Sequence, residues 1–113
     1  MIKIFDSAAH VTTTGKWRLK KDGTELNSSC KKLIKEIKDN NYYKACVIGL
    51  DSFENYNHKK FVKICKNNKQ LVLFAGVNPN KTKKVLKEEL MNIKKLGFRG
   101  IKLHPRLSNF YLD

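Results

Sequence analysis

Gly97-Phe98-Arg99-Gly100-Ile101-Lys102-Leu103-His104-Pro105 is the stretch that decides the fold. A helical pattern leads into it, and Gly97 suits the left-handed position that ends a helix. Period-two alternation puts Gly100, Lys102 and His104 on one face and Ile101 and Leu103 on the other. Pro105 closes the strand, because it has no N–H to give to a ladder. A Lys and a His at the C-terminal end of such a strand are placed where an α/β barrel keeps its reactive groups. A merely solvated strand end would carry the same residues.

Working outward, the preceding segments repeat the same unit. Ile2 to Asp6 reads as a short first strand, followed by Ser28 or Ser29 as the cap of a helix. Cys30, Leu33, Ile34 and Ile37 give that helix its apolar stripe, and Asn40-Asn41 ends it. Ala45 to Leu50 is a nearly continuous apolar run, as expected of a strand covered on both faces. A second helix is predicted from His58 to Asn67, with Phe61, Val62 and Cys65 inward. Leu71 to Val77 is the third strand, broken by Asn78-Pro79, and Thr82 to Leu96 the third helix, with Val85, Leu86, Leu90 and Ile93 inward.

Strand and helix in alternation mean βαβ units and a parallel sheet, either an open doubly wound sheet or part of a (β/α) barrel. Periodicity does not separate the two. Polar residues gather after each strand, at Asp6 to Arg18, Asp51 to Asn57, Asn78 to Lys81 and His104 to Asn109. The long segment Val11 to Asn27, with Gly15-Lys16-Trp17 and Asp22-Gly23, reads as a lid over a site or as a surface hairpin. Alternation in the first strand aligns Asp6, Ala8 and His10, and His10 is either a hydrogen-bonded strand-end residue or a ligand.

Composition narrows the function classes. The 113 residues suit a single domain, 1–113. No apolar run is long enough to span a bilayer, and Asp6 interrupts any signal-like N-terminus, so the expected location is cytoplasmic, with no membrane partner. Cys30, Cys46 and Cys65 fall at apolar positions, as buried thiols rather than disulfides or a zinc cage. The net charge of +14 is nearly all lysine, spread over helix faces, and Phe61, Phe74 and Phe98 sit at apolar positions rather than between basic residues. That pattern predicts a solvated surface and no specific nucleic-acid partner. Nucleotide-binding glycine loops, Cys-x-x-Cys pairs and Gly-x-Ser-x-Gly elbows are all missing from the sequence.

Phe5-Asp6-Ser7-Ala8-Ala9-His10-Val11 resembles the opening Asp-x-His-x-His strand of the amidohydrolase superfamily. Gly76-Val77-Asn78-Pro79, and Gly97 to Pro105 running on into Arg106-Leu107-Ser108, are similar to later strand ends of its amidohydrolase-2 branch, metal-dependent hydrolases and decarboxylases on a (β/α)8 barrel. The resemblance covers essentially this whole chain but only the N-terminal half of a barrel, which takes about 250 residues. It implies the following. The fold is the N-terminal half of a TIM-type barrel, with Ala8, His10, Gly49, Ala75 and Lys102 on its inner face. The lineage chemistry is hydrolysis or decarboxylation by metal-activated water. A divalent metal, zinc or similar, would be held by His10, with Lys102, as a carboxylated bridge, or His104 as the further candidate. His104 and Arg106 would contact a small-molecule substrate. Ala8 stands where the family has the first histidine of its pair, and the family's later histidine and aspartate ligands would fall beyond Asp113. No residue is assigned as the catalytic acid or base. The chain is therefore expected to be inactive alone, to leave the site without a bound metal, and to self-associate through open barrel edges. A small basic binding or assembly module on a half-barrel scaffold is the alternative.

Overall fold

The computed structural model describes residues 2–65 and 67–111. Its elements in chain order are β1 (Ile4–His10), β2 (Lys16–Arg18), β3 (Glu25–Asn27), α1 (Cys30–Asp39), β4 (Tyr42–Ile48), α2 (His58–Cys65), β5 (Leu71–Val77), α3 (Lys83–Lys95), β6 (Gly100–Leu103) and α4 (Pro105–Ser108). One sheet has the order β1-β4-β5-β6, and each neighbouring pair is parallel. The crossovers run through α1, α2 and α3, which gives the parallel sheet expected from the alternation of elements, and the sheet curls into the half-barrel that the resemblance implies.

The helices start where the sequence places their caps. Ser29 Oγ accepts from Lys32 N at 3.2 Å and Thr82 Oγ1 from Val85 N at 3.3 Å, each worth about 1 kcal/mol. Gly97 follows α3 at φ 93°, a conformation costly for any residue with a Cβ. The expected end of α2 passes through Lys66, which lies outside the described residues.

Burial sorts the sheet into two faces. Val47 of β4, together with Ala75 and Val77 of β5, packs under Phe61, Cys65, Ile93 and Phe98, and a neighbouring cluster joins Ala9 and Ala45 to Ile37 of α1. Full burial of Phe61 alone contributes about 2–3 kcal/mol. The opposite face holds Cys46, Ile48, Leu50 and Phe74, with Trp17, Phe53 and Leu107 against them. This is the inner face of the half-barrel.

Four expectations need correction. Of the α3 residues expected inward, Leu86 and Ile93 pack on the core, whereas Val85 and Leu90 are exposed. The first strand runs to His10, and it carries an extra residue between Asp6 and Ala9, opposite Ala45 and Val47. That bulge breaks the alternation. Asp6 pairs with Ala45, which belongs to the helix-side cluster, whereas His10 pairs with Ile48 of the inner cluster, so Asp6 and His10 do not share a face. Ala75 belongs to the helix side, and a Cβ on Gly49 would meet Tyr56 of that same side; neither residue faces inward. Finally, Pro105 opens α4 rather than simply ending β6. The Val11 to Asn27 segment folds as a hairpin, β2 paired antiparallel with β3.

Candidate functional site

His10 and Lys102 stand near the C-terminal ends of β1 and β6, and His104 and Arg106 just beyond β6. Gly100 lies opposite Phe74, and a Cβ there would stand 2.7 Å from the Phe74 ring, which puts Gly100, and with it Lys102 two residues on, on the inner face. Lys102 is half-buried and pairs with Gly76. His10 lies on the far edge strand, with β4 and β5 between it and Lys102. Its Nδ1 is 3.3 Å from the Ile48 carbonyl, and its ring is 5.8 Å from that of Trp17.

The next residues along close over this face. Trp17, carried by the β2–β3 hairpin, stacks at 4.6 Å on Phe53 of the loop after β4. Leu107 of α4 reaches the same apolar cluster. His104 caps α4, with Leu107 N donating to its Nδ1 at 3.4 Å. Asn80 Nδ2 donates to the Ser108 carbonyl, which ties the loop after β5 to α4. Arg106 is exposed on that short helix. Among the described residues, no hydrogen bond or ion pair joins His10, Lys102, His104 and Arg106 to one another.

A catalytic divalent metal takes about three protein ligands and an open position for water. Among the described residues no group of three or more His, Cys, Asp or Glu side chains is placed to hold one. The bulge turns Asp6 away from His10, and position 8 is alanine. The donors present do not fit a metal centre, and we derive no step through one.

A second polar cluster lies on the helix side and was missed in the sequence. Lys81 donates to Glu89 Oε2, His58 Nε2 is 2.9 Å from Glu89 Oε1, and His58 Nδ1 is 2.8 Å from the Tyr56 hydroxyl. Gly76 N donates to that hydroxyl at 3.1 Å. With Nε2 protonated toward Glu89, the Tyr56 hydroxyl donates to His58 Nδ1 and His58 Nε2 to Glu89. Burial by itself would raise the Glu89 carboxyl, but the hydrogen bonds from Lys81 and His58 outweigh it and hold the carboxyl below its ordinary range. Burial pushes the Tyr56 hydroxyl up. The available signal was Glu89 itself, a carboxylate in register with Leu86 and Ile93 on the inward stripe of α3.

Cys30, Cys46 and Cys65 are free, buried thiols. The neighbouring Cys30 thiol and burial push the Cys65 thiol above its ordinary range. No helix among the described residues is long and apolar enough to cross a membrane.

No protein-family model matches the chain, and no curated protein matches it. Its fold is similar to that of a crystallised probable 2-pyrone-4,6-dicarboxylic acid hydrolase from Acinetobacter baumannii, with citric acid bound, at a TM-score of 0.61 and 19% identity. The match covers 88% of this chain and 37% of that one. The likeness is one of fold: these residues fold as part of such a hydrolase's barrel, the architecture that the amidohydrolase resemblance implies.

Proposed function

We propose that this chain is a partial amidohydrolase-type barrel that retains the substrate-facing surface of its lineage without turnover of its own. The observation that supports this reading is the half-barrel with Lys102 on its inner face at the strand ends, shared in fold with a hydrolase. His10 and Lys102 are the residues of this half on which the lineage chemistry, hydrolysis or decarboxylation, would draw, with no metal-borne step assigned to them. His104 and Arg106 would face a small substrate bearing carboxyl groups, the type of molecule named for the structural neighbour and bound in it. A cationic Arg106 binds a carboxylate by paired N–H donors.

The test is an assay of lactone and ester hydrolysis with zinc, manganese or cobalt added. The expected result is no metal-dependent turnover above background. Turnover that depends on added metal and is lost in Lys102→Ala would overturn the proposal.

A further inference from the structure

The flank of α3 turned away from α2 carries an apolar strip within a frame of lysines. Lys83, Leu86, Lys87, Leu90, Met91 and Lys94 form one shallow, open strip of surface. Their spacing of three, four, seven, eight and eleven residues from Lys83 puts them on one helical face. Glu89, which binds His58 at the start of α2, marks the opposite flank, so this face lies on the β6 side. Leu90 and Met91 are 37% and 54% exposed. Ile101 and Leu103 of β6 are exposed too, at 41% and 36%.

The charge is as one-sided as the apolar surface. The strip contains three lysines and no carboxylate. Lys83 and Lys87, one turn apart, repel each other. Among the described residues none of the three takes part in an ion pair.

We propose that this face docks a helix from a partner protein, one whose apolar stripe is flanked by aspartate or glutamate. A strip of three helical turns with an adaptable methionine matches the ridge of a single helix. The lysine frame selects carboxylates on either side of that ridge. A second copy of this chain is a poor occupant, since α1 would bring Lys31, Lys32, Lys35 and Lys38 against the same lysines.

The probe is a fluorescein-labelled peptide of about 18 residues, long enough to form a helix, with leucines at helical spacing and glutamates beside them. A twin peptide carries lysine for every glutamate. In anisotropy titrations against the full chain, the glutamate peptide is expected to bind at least about tenfold more tightly than its twin. That binding should weaken as salt is raised and should fall about tenfold in Leu90→Glu/Met91→Glu. Lys83→Glu/Lys87→Glu, which leaves the apolar strip in place, should reverse the preference between the two peptides. Equal binding of both peptides, binding of neither, or indifference to these variants would overturn the proposal. So would sedimentation with phosphatidylcholine–phosphatidylserine vesicles that Leu90→Glu/Met91→Glu abolishes, which assigns the face to lipid. Self-association that the same variant abolishes would assign it to a second copy, and would overturn the proposal equally.

Discussion

His58 Nε2 stands 2.9 Å from Glu89 Oε1, and both side chains are about 15% exposed. This contact joins the first residue of α2 to the middle of α3. Through Tyr56 it also holds the loop after β4 against Gly76 of β5. That loop keeps Ser52, Glu54 and Asn55 at φ between 47° and 60°, left-handed conformations that cost energy outside glycine. The polar chain therefore restrains the strained segment that carries Phe53 to Trp17 over the inner face.

Removing the middle of this chain should destabilise the fold. His58→Ala leaves Glu89 and the Tyr56 hydroxyl short of a partner in a half-buried site, an expected loss of about 1–3 kcal/mol in urea unfolding. Glu89→Gln, which keeps the shape and an acceptor, should lose less. Because the folded Glu89 carboxyl lies below its ordinary range, its contribution is fully present above about pH 4.3 and is lost as pH falls through the lower folded value. The acid limb of stability against pH should therefore flatten in Glu89→Gln. An unchanged acid limb would refute this assignment.

Tyr56 sets the alkaline limb. Its raised pKa means that the folded state holds the phenol neutral, so stability is present below about pH 10 and is lost as pH rises past the unfolded value. Tyrosinate absorbance should show one phenol in the native protein that ionises only on unfolding, and Tyr56→Phe should abolish that step. At neutral pH the same substitution should cost about 1 kcal/mol, for the lost bonds to Gly76 N and His58.

Gly76 admits no side chain. A Cβ there would lie 2.5 Å from both Asp51 N and the Gly49 carbonyl oxygen, backbone atoms that cannot swing aside. Gly76→Ala should cost about 1–3 kcal/mol by overpacking, read as a fall in melting temperature with the fold retained. A neutral result would mean that the β4 and β5 strand ends are not packed as described.

Metal affinity should respond to position 8. Ala8 and His10 flank Ala9, which points to the helix side, so Ala8→His would set two imidazoles on the inner face. Calorimetry should show zinc binding at least about tenfold tighter than in the unsubstituted chain, with no turnover gained. Stoichiometric zinc retained by the purified unsubstituted protein in elemental analysis would contradict the premise.

The sheet edges should draw chains together. β1 and β6 each have a single neighbour, and Ile4, Phe5, Ile101 and Leu103 on them are exposed. Open parallel edges with apolar side chains pair readily. The +14 charge opposes that pairing, so association should grow with ionic strength as the repulsion is screened. Sedimentation velocity at low and high salt tests this; a single monomeric species at both would count against it.

Most of what near neighbours along the chain govern was legible in the sequence. Ser29 and Thr82 announce their helices by local hydrogen bonds, Gly97 ends α3 through its backbone freedom, and the apolar runs of β4 and β5 declare strands covered on both faces. Lys102 falls on the inner face by alternation alone, because β6 pairs with β5 without a bulge. Other features depend on residues distant in sequence. The bulge that separates Asp6 from His10 exists only in register with β4, and which face of Gly49 and Ala75 the helices cover depends on where the crossovers pack. Tyr56, His58, Lys81 and Glu89 come from two loops and two helices, and their meeting follows from the packing of α2 against α3 rather than from any spacing. Local periodicity decides the elements, whereas a hydrogen bond across the core forms only after burial has removed the water that would otherwise satisfy its groups.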